Sequence, residues 1–569
     1  MAGRGAAAAA RGAAAGALLF ALGAMGGLGA CAAARQPPAP AGEPPAPTAG
    51  VVPDADLDAD LDAWLARLLV DPERFVAEPA FRATVLDRLA RPPEPPPPPE
   101  LRDRLLAELT QVRGIGFAES EAIEHGWGAV PRRGLARQAP YEAGRLRFVA
   151  DDGGRLAASV YSLGSIYFSA AEASDFLAGV RRGDPERTLL AFVDAVMARE
   201  LGALAAEQRV HLLPTFDRDY SPWPRDPMSL VRAAGGAVEL LARPNLQRGR
   251  EEDAWLAAEL VQNLPEEIDR AWGEVRWRVA PVPFHNGQVL LTGDAAWITL
   301  HTLEARVLEL LGLERVPVDA LSTPAGVERY VATAREAAEE LAALYGRPAR
   351  FVHPLGSQPA AGPRLLTRLG GGAGFDLDSY LTLLPARGGR PQALVAGLDA
   401  GAALLAGLGE GDRESLRRTY GLEPAGAALA TALLRAQETP RARGLGAYLD
   451  LVAEHLAGEG WEVRRLPLLL VPVALLADRG GLEHEDFLVG WNNVVVERRG
   501  GAVRAEGFAS GVPAGDAAAA GVFAQAGAEL ALLPPLVRSV VLGGGYRCAS
   551  NHLRVEAGGA AGQGGVGAE

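Results

Sequence analysis

Apolar and polar positions follow alternating strand-like and helical patterns along the chain from about residue 145 onward. The segments "LAASVYSLG" (156–164) and "QRVHLLPTF" (208–216) are apolar runs of strand length, and residues 170–207 between them have helical periodicity. Further helical stretches are 251–273, 324–346, 399–436, 444–460 and "AAGVFAQAGAEL". Further strand-like runs are "GRLRFVADD", "VRWRVAPVPF", "GQVLLTGDAAWITL", "ARFVHPL", "LDSYLTLLP", "PQALVAGL", "EVRRLPLLLV", "NNVVVE" and "VRSVVLGGG". This alternation predicts an α/β fold.

The first 54 residues have the composition of an exported, tethered protein. Residues 1–30 have a positively charged start and an apolar middle, which is typical of a signal peptide. The sequence Leu28-Gly29-Ala30-Cys31 resembles the lipobox of bacterial lipoproteins, which implies cleavage before Cys31 and acylation of its sulfur. A plain signal peptide with a chance cysteine is the alternative. Residues 31–54 form a Pro/Ala-rich tether that cannot build a core. We therefore predict a lipoprotein on the bacterial cell envelope, in contact with the membrane through its lipid anchor only.

The rest of the chain divides into three parts. Residues 55–144 are predicted to form a helical segment that is interrupted by the polyproline spacer "RPPEPPPPPE". Residues 145–555 contain the alternating elements and form the predicted catalytic domain. Residues 556–569 are rich in Gly and Ala and are predicted to be disordered.

Composition excludes several kinds of chemistry. The formal net charge of −14 argues against a nucleic-acid partner. All 56 basic residues are arginine, so a Schiff-base lysine, a pyridoxal-phosphate lysine and a phosphate-loop lysine are all excluded. No His or Cys cluster has metal-ligand spacing, and we predict neither a metal nor another cofactor. Acid–base chemistry is therefore left to Asp, Glu, Tyr, His or Cys548.

The segment "VLGGGYRCAS" (541–550) contains Cys548, the only cysteine besides Cys31. Structural cysteines of exported proteins usually come in pairs, so an unpaired one is either a small buried apolar residue or a reactive group. Arg547 precedes the thiol, and a neighbouring positive charge is expected to lower the pKa of a thiol. The sequence therefore makes Cys548 a candidate nucleophile.

Acidic residues are concentrated in two other segments. "TFDRDYSPWPRDPM" (215–228) contains Asp226, together with Asp217 and Asp219, which are more typical of turn-capping residues. "GGAGFDLDSYLTLLP" (371–385) contains Asp376 and Asp378 at alternate positions of a predicted strand, so both side chains are expected on one side. A thiolate among carboxylates suits a cationic substrate, because two carboxylates can hold a guanidinium by bidentate hydrogen bonds. The central carbon of that guanidinium is an electrophile for sulfur.

These motifs resemble those of the guanidine-modifying superfamily of deiminases and amidinotransferases, and are closest in style to the peptidylarginine deiminases. The resemblance rests on residues 544–551, "GGYRCASN", on Trp223-Pro224-Arg225-Asp226-Pro227 and on "LDSYLTLLP". "FHNGQVLLTG" and "GWNNVVVE" are weaker matches, and the likeness spans residues 145–555. It implies a pentein fold, an α/β-propeller of five pseudo-symmetric ββαβ units around a central pocket.

The resemblance also implies a reaction and roles for residues. Cys548 would attack the guanidino carbon, Asp226 and Asp378 would clamp the guanidinium, and Trp223 would line the substrate channel. The substrate would be a guanidino small molecule or an arginyl peptide or protein. The products of hydrolysis through a covalent thiouronium would be ammonia and a ureido compound. Amidino transfer to an amine uses the same residues and stays open.

One position departs from the family pattern, because Asp376 stands where the family has its catalytic histidine. Asp376 is therefore predicted as an unusual acid–base residue. Alternatively, His285, His301 or His353 substitutes for the missing histidine, or the site is degenerate and the lipoprotein only binds guanidinium groups. Asn493 is interpreted as a strand-end hydrogen-bonding residue.

Overall fold

The structure is a computed structural model, and it describes residues 132–215, 220–244, 250–313, 323–352, 376–478, 482 and 485–556. Several predicted features lie outside the described residues. They are the signal peptide with Cys31, the tether, most of the 55–144 segment, the tail after residue 556, Asp217, Asp219 and His353.

The strands of the described ranges form five small sheets. In chain order the strands are β1 (Leu146–Arg147), β2 (Arg155–Ser162), β3 (Thr188–Val193), β4 (Val210–Pro214), β5 (Met228–Ala233), β6 (Val238–Ala242), β7 (Arg276–Val279), β8 (Val289–Leu291), β9 (Ala296–Thr299), β10 (Ala349–Val352), β11 (Leu381–Arg387), β12 (Arg390–Gly397), β13 (Glu462–Pro472), β14 (Asp486–Gly490), β15 (Val495–Arg499), β16 (Ala502–Phe508), β17 (Ala528–Leu533) and β18 (Ser550–Val555).

Helices connect the strands and cover the sheets. They are α1 (Arg132–Ala136), α2 (Ala170–Gly183), α3 (Ala195–Gln208), α4 (Leu256–Asn263), α5 (Glu266–Ala271), α6 (Leu300–Leu311), α7 (Pro324–Tyr345), α8 (Leu398–Gly407), α9 (Glu410–Tyr420), α10 (Gly426–Gln437), α11 (Pro440–Gly458), α12 (Pro513–Gln525) and α13 (Val537–Val541). The predicted α/β class is confirmed.

One connection pattern recurs in every described sheet. In four of them an antiparallel pair is followed by a helical crossover to a parallel strand: β5–β6 to β7, β8–β9 to β10, β11–β12 to β13, and β15–β16 to β17. In the fifth sheet the last strand, β18, pairs antiparallel with β2, and β2 continues through α2 to the parallel strand β3. Strands from the two ends of the domain therefore complete one sheet, and this sheet carries the residues that follow Cys548.

The longest apolar run of the domain illustrates why these elements form. Residues 466–471 of β13 are all buried, because β12 and β14 flank the strand and helices cover it. A strand enclosed on both faces has a nearly continuous apolar sequence. In the part of the chain that the structure describes, we find no helix with the length and apolar character of a membrane span.

Three predicted elements are corrected by the structure. The run "VRSVVLGGG" was expected as a strand, but Val537–Val541 is a short helix, α13, followed by a turn. The helical prediction for residues 170–207 missed β3, which lies between α2 and α3. Asp376 and Asp378 do not alternate along a strand: they belong to the 3₁₀ turn Leu377–Ser379 and its preceding residue, ahead of β11. A short apolar run is ambiguous in periodicity, and tertiary contacts decide it.

Candidate active site

Cys548 lies in the turn between α13 and β18, and close backbone approach builds this turn. A Cβ atom on Gly544 would lie 2.0 Å from Trp223 Nε1, so only glycine allows the segment before the cysteine to pass the indole ring. The same indole nitrogen donates a hydrogen bond to Ser539 Oγ at 3.1 Å. Trp223 is 7% exposed and is enclosed on this side by protein. The motifs around residues 223 and 548 are thus in contact.

The Cys548 sulfur is directed at a carboxylate and an amide. Sγ lies 3.7 Å from both Asp378 Oδ1 and Asp378 Oδ2. Asn493 Nδ2 donates to Sγ at 3.0 Å and to Asp378 Oδ1 at 3.1 Å, while Asn493 Oδ1 accepts from the Cys548 backbone N–H at 3.1 Å. Asn493 therefore fixes the position of the sulfur relative to the carboxylate, which is a larger role than the strand-end hydrogen bond expected from the sequence.

The positive charge of Arg547 does not leave the Cys548 thiol with a lowered pKa. The Arg547 guanidinium is held by Asp378 Oδ2 at 2.7 Å and by Asp151 Oδ2 at 3.0 Å. Burial raises the pKa of Cys548 well above its usual value, and the negative charges of Asp378, Asp376 and Asp226 raise it further. Nearby carboxylates and burial thus outweigh the arginine, and the thiol form is favoured in the free protein.

Asp376 lies beside the sulfur and also beside a histidine. A carboxylate oxygen of Asp376, a carboxylate oxygen of Asp378 and the Cys548 Sγ all lie within 4.8 Å of one another. His285 Nδ1 is 3.5 Å from Asp376 Oδ1, and His285 Nε2 is 3.5 Å from Asp226 Oδ2. A Cβ atom on Gly287 would lie 2.7 Å from the Asp376 carboxyl carbon, so this glycine lets the 285–288 turn approach Asp376. His285 thus connects two of the predicted site aspartates.

Asp226, one of the two predicted guanidinium-binding residues, already has an internal guanidinium partner. Arg250 donates to Asp226 Oδ2 at 2.7 Å and to Asp253 Oδ2 at 2.8 Å, and it also donates to Ser221 Oγ at 2.7 Å. Its central carbon lies 4.9 Å from the centroid of the Trp223 ring. Asp226 Oδ1 is buried and has no hydrogen-bond partner among the described residues, so one oxygen of this carboxylate remains available.

The carboxylates of the site differ in their affinity for protons. Burial raises the pKa of Asp376 to about 7, with a further contribution from the charge of Asp226. Burial raises the pKa of Asp378 to about 6, against the opposing charge of Arg547. Burial also acts to raise the pKa of Asp226, but the positive charges of His285 and Arg250 outweigh it, and the pKa lies below its ordinary value. At neutral pH, Asp376 is therefore the carboxyl group that can both hold and release a proton.

The histidine alternatives separate clearly by position. His285 lies within the site, as described above. His552, which was not one of the predicted alternatives, is buried, and both of its ring nitrogens are hydrogen-bonded, to Ser159 Oγ at 2.8 Å and to Ser550 Oγ at 2.7 Å. His301 is in the first turn of α6. Burial lowers the pKa of His285, which favours its neutral imidazole.

Within the part of the chain that the structure describes, two residue groups have donor atoms close enough to surround one metal ion. They are Asp226, His285 and Asp376, and Asp376, Asp378 and Cys548, each with donor atoms within 4.8 Å of one another. The guanidinium groups of Arg250 and Arg547 bind carboxylates of these groups and supply the compensating positive charge. That the reaction needs no metal ion stays a prediction.

Sequence reasoning did not identify Arg250, Asp253, Ser221 or Asp151, which hold the site residues in place. Arg250 is the first residue of the charged run "REED" (250–253), which is indistinguishable in sequence from a solvated surface segment. Its burial, at 7% exposure, is decided by the tertiary structure.

No protein-family model and no curated protein sequence matches this chain. Similar solved structures include an agmatine deiminase of C. jejuni (10% identity, TM-score 0.43), covering 73% of this chain and 98% of that one. The agmatine deiminase of Enterococcus faecalis has 11% identity, a TM-score of 0.40 and coverage of 72% and 96%. A dimethylarginine dimethylaminohydrolase has 12% identity, a TM-score of 0.28 and coverage of 70% and 100%. These neighbours are guanidine-modifying enzymes, the class that the motifs resemble. All three TM-scores are below 0.5.

Proposed function

We propose that the protein is a cysteine-dependent hydrolase of a guanidino group. The observation that carries this proposal is the position of the Cys548 sulfur, 3.7 Å from both oxygens of Asp378 and adjacent to Asp376. The carboxylates around the buried thiol repel anionic intermediates and attract a planar cation. A guanidinium is such a cation, and its central carbon can be attacked by the thiol, which leads to its hydrolysis.

The cation itself would activate the nucleophile. In the free protein the carboxylates hold the pKa of Cys548 high, so the sulfur is protonated. A guanidinium between Asp226 Oδ1 and Asp378 would place positive charge beside the sulfur and lower the pKa of the thiol. Sγ would then bond to the guanidino carbon, the thiol proton would pass through Asp376 to the leaving nitrogen, and the C–N bond would break to release ammonia. Water would add to the thiouronium carbon, the C–S bond would break, one proton of the water would return to the sulfur and the other would leave through Asp376, and the ureido product would be released.

Asp376 is our candidate for the proton transfers. Its pKa of about 7 suits both donation to the leaving amine and acceptance of a proton from water. His285 Nδ1 lies 3.5 Å from Asp376 Oδ1 and is buried without a hydrogen-bond partner among the described residues, so it is the group that could exchange this proton with Asp376 if the two approach to hydrogen-bond distance. We expect Asp376→Asn to reduce turnover at least 100-fold, and His285→Asn to shift the pH optimum while retaining measurable turnover.

One observation favours a second candidate, a guanidinium-binding protein without turnover. Asp226 and Asp378 each bind an arginine of the chain itself, Arg250 and Arg547. Internal guanidinium groups neutralise part of the charge that a substrate would need. Binding of arginine or agmatine without ammonia release would support this candidate over the hydrolase.

The test is ammonia and ureido-product formation by the purified full chain with arginine, agmatine and arginyl peptides. Cys548→Ala should abolish both products, while Cys31→Ala, the matched change of the only other cysteine, should leave them unchanged. Transfer of an amidino group to glycine without ureido product would assign the amidinotransferase reaction instead. No product from any of the three substrates would reject the hydrolase.

We further propose that the five sheets are the five ββαβ units of a pentein propeller and that Cys31 anchors the protein to the cell envelope. The repeated antiparallel pair and parallel crossover support the first proposal. Incorporation of labelled palmitate into the wild type, but not into Cys31→Ser, tests the second. Membrane association that persists in Cys31→Ser would contradict it.

A further inference from the structure

A second recess lies at strands β1, β5, β8 and β18. Its cavity volume is about 50 Å³, and it opens in part to solvent. Its wall includes Asn551 and His552 of β18 but none of Cys548, Asp226, Asp376 and Asp378. This recess is therefore distinct from the candidate active site, and the proposed reaction does not use it.

The recess has a strong excess of positive charge. Arg147, Arg225, Arg232 and Arg554 line it, and Asp151 is the one acidic residue in the lining. Burial and the surrounding arginines lower the pKa of His552 well below its usual value, so this histidine adds no charge. Four arginines and one aspartate thus line the recess, while Arg554 also feels the negative charges of Glu497 and Asp152 outside the lining.

Asp151 cannot compensate these charges, because several donors share it. Arg225 Nη2 lies 3.3 Å and Arg554 Nη2 lies 3.7 Å from Asp151 Oδ1. Arg547 Nη2 and the Leu291 backbone N–H donate to Asp151 Oδ2 at 3.0 and 2.9 Å. Arg547 is also paired with Asp378, so Asp151 is the carboxylate that Arg225 and Arg554 share, and these two buried guanidinium groups have less than one full negative charge each beside them.

Two of these guanidinium nitrogens also lack an acceptor. Arg554 is 7% exposed, and its Nη2 is buried without a hydrogen-bond partner among the described residues. Arg225 Nε is also buried without a hydrogen-bond partner among the described residues. Buried polar groups in folded proteins almost always have a partner, and exceptions call for an explanation. An oxyanion in the recess would accept from both side chains and supply the missing negative charge.

We infer that this recess is a binding site for a small oxyanion, of the phosphate or carboxylate class. Arg225 and Arg554 would hold the anion by charge-assisted hydrogen bonds, and the exposed Arg147 at the rim would attract it. The inference concerns a different ligand from that of the proposed hydrolase and does not involve Cys548, Asp226, Asp376 or Asp378, although Asp151, which binds Arg547, belongs to both sites.

The test is calorimetric titration of the full chain with inorganic phosphate and with acetate, in chloride buffer of constant ionic strength. We expect saturable binding of at least one anion by the wild type. Arg554→Gln, which removes a buried donor, and Arg147→Glu, which reverses a charge at an exposed position, should each weaken it at least tenfold. Arg147→Glu leaves the core untouched, so its result stands even if Arg554→Gln fails to fold.

The matched control is Arg418→Gln on α9, where the arginine side chain is 69% exposed and remote from the lining of the recess. The affinity of Arg418→Gln for phosphate and acetate should equal that of the wild type. A tenfold loss in either folded variant supports the site, and the preferred anion identifies the class. Absence of saturable binding to both anions overturns the inference. Wild-type affinity in both Arg147→Glu and folded Arg554→Gln also overturns it.

Discussion

The sulfur of Cys548 is 3.7 Å from both carboxylate oxygens of Asp378, a residue 170 positions earlier in the chain. Asn493, from a third segment, bonds both groups and prevents them from separating. A thiol in this position resists ionisation, because its thiolate would face a carboxylate in a buried environment. The arrangement is unfavourable for a constitutively reactive cysteine and favourable for one that becomes reactive when a cation enters.

The reactivity of Cys548 in the free protein should therefore respond to Asp378. We expect the pH inflection of iodoacetamide alkylation in the wild type to lie well above that of an ordinary cysteine, and to fall by about 1 to 2 pH units in Asp378→Asn. The pKa of Asp378 is about 6, so its charge is present where the thiol titrates. Mass spectrometry of the Cys548 peptide measures the rate. Asp450→Asn, an exposed change on α11, is the control, and an unchanged inflection in Asp378→Asn would contradict the assignment.

Asp376 should make stability depend on pH. Its pKa rises from 3.8 in the unfolded chain to about 7 in the folded protein, so the folded state retains a proton that the unfolded state has lost between these values. The contribution of Asp376 to the free energy of unfolding is therefore greatest at low pH within this window and falls as the pH rises through 7. Asp376→Asn should remove about 2 kcal/mol of that fall, less than the full shift implies, because 28% of the side chain is exposed.

The measurement is the free energy of unfolding in urea at pH 5 and pH 8. The difference between the two pH values should be smaller in Asp376→Asn than in the wild type. Asp450→Asn should follow the wild type. A larger fall in Asp376→Asn would show that the sign of the shift is wrong.

Asn493 and its neighbour Asn492 allow a matched comparison. Asn493 bonds the Cys548 sulfur and backbone, whereas Asn492 donates to the carbonyl of Leu394 at 2.8 Å and is 1% exposed. Both alanine variants should lose about 1 to 3 kcal/mol of stability, because each leaves buried polar groups without a partner. Only Asn493→Ala should also reduce turnover, by about 10- to 100-fold, measured under conditions where both variants are folded. Equal turnover in the two variants would limit Asn493 to a structural role.

Gly544 should tolerate no side chain. Its added Cβ would lie 2.0 Å from Trp223 Nε1, so Gly544→Ala is expected to cost about 2 kcal/mol or more, or to displace the indole. Gly521 on α12 has no atom within 4 Å of an added Cβ. Gly521→Ala should therefore raise stability by about 0.5 to 1 kcal/mol. Urea denaturation measures the free energy of unfolding of both variants. An unchanged value in Gly544→Ala would contradict the close approach of Gly544 to Trp223.

The sequence alone predicted the α/β class and the segments that meet at the site. Local pattern was sufficient for long elements such as α7 and β13, because their periodicity or continuous apolar character is unambiguous. It failed for Val537–Val541, where a short apolar run forms a helix, and for Asp376, which lies in a 3₁₀ turn. Short runs carry too little periodicity to distinguish these outcomes.

The amino-acid sequence by itself determined which chemical groups exist: one cysteine in the predicted catalytic domain, no lysine, and carboxylates in motifs that indicate a guanidinium. Only the tertiary structure decided which of these groups are paired and how readily each one ionises. It paired Asp226 with Arg250 and Asp378 with Arg547, placed His285 between two aspartates, and raised the pKa of Cys548. The physical reason is that burial and through-space distances, which set ionisation, depend on residues far apart in the chain.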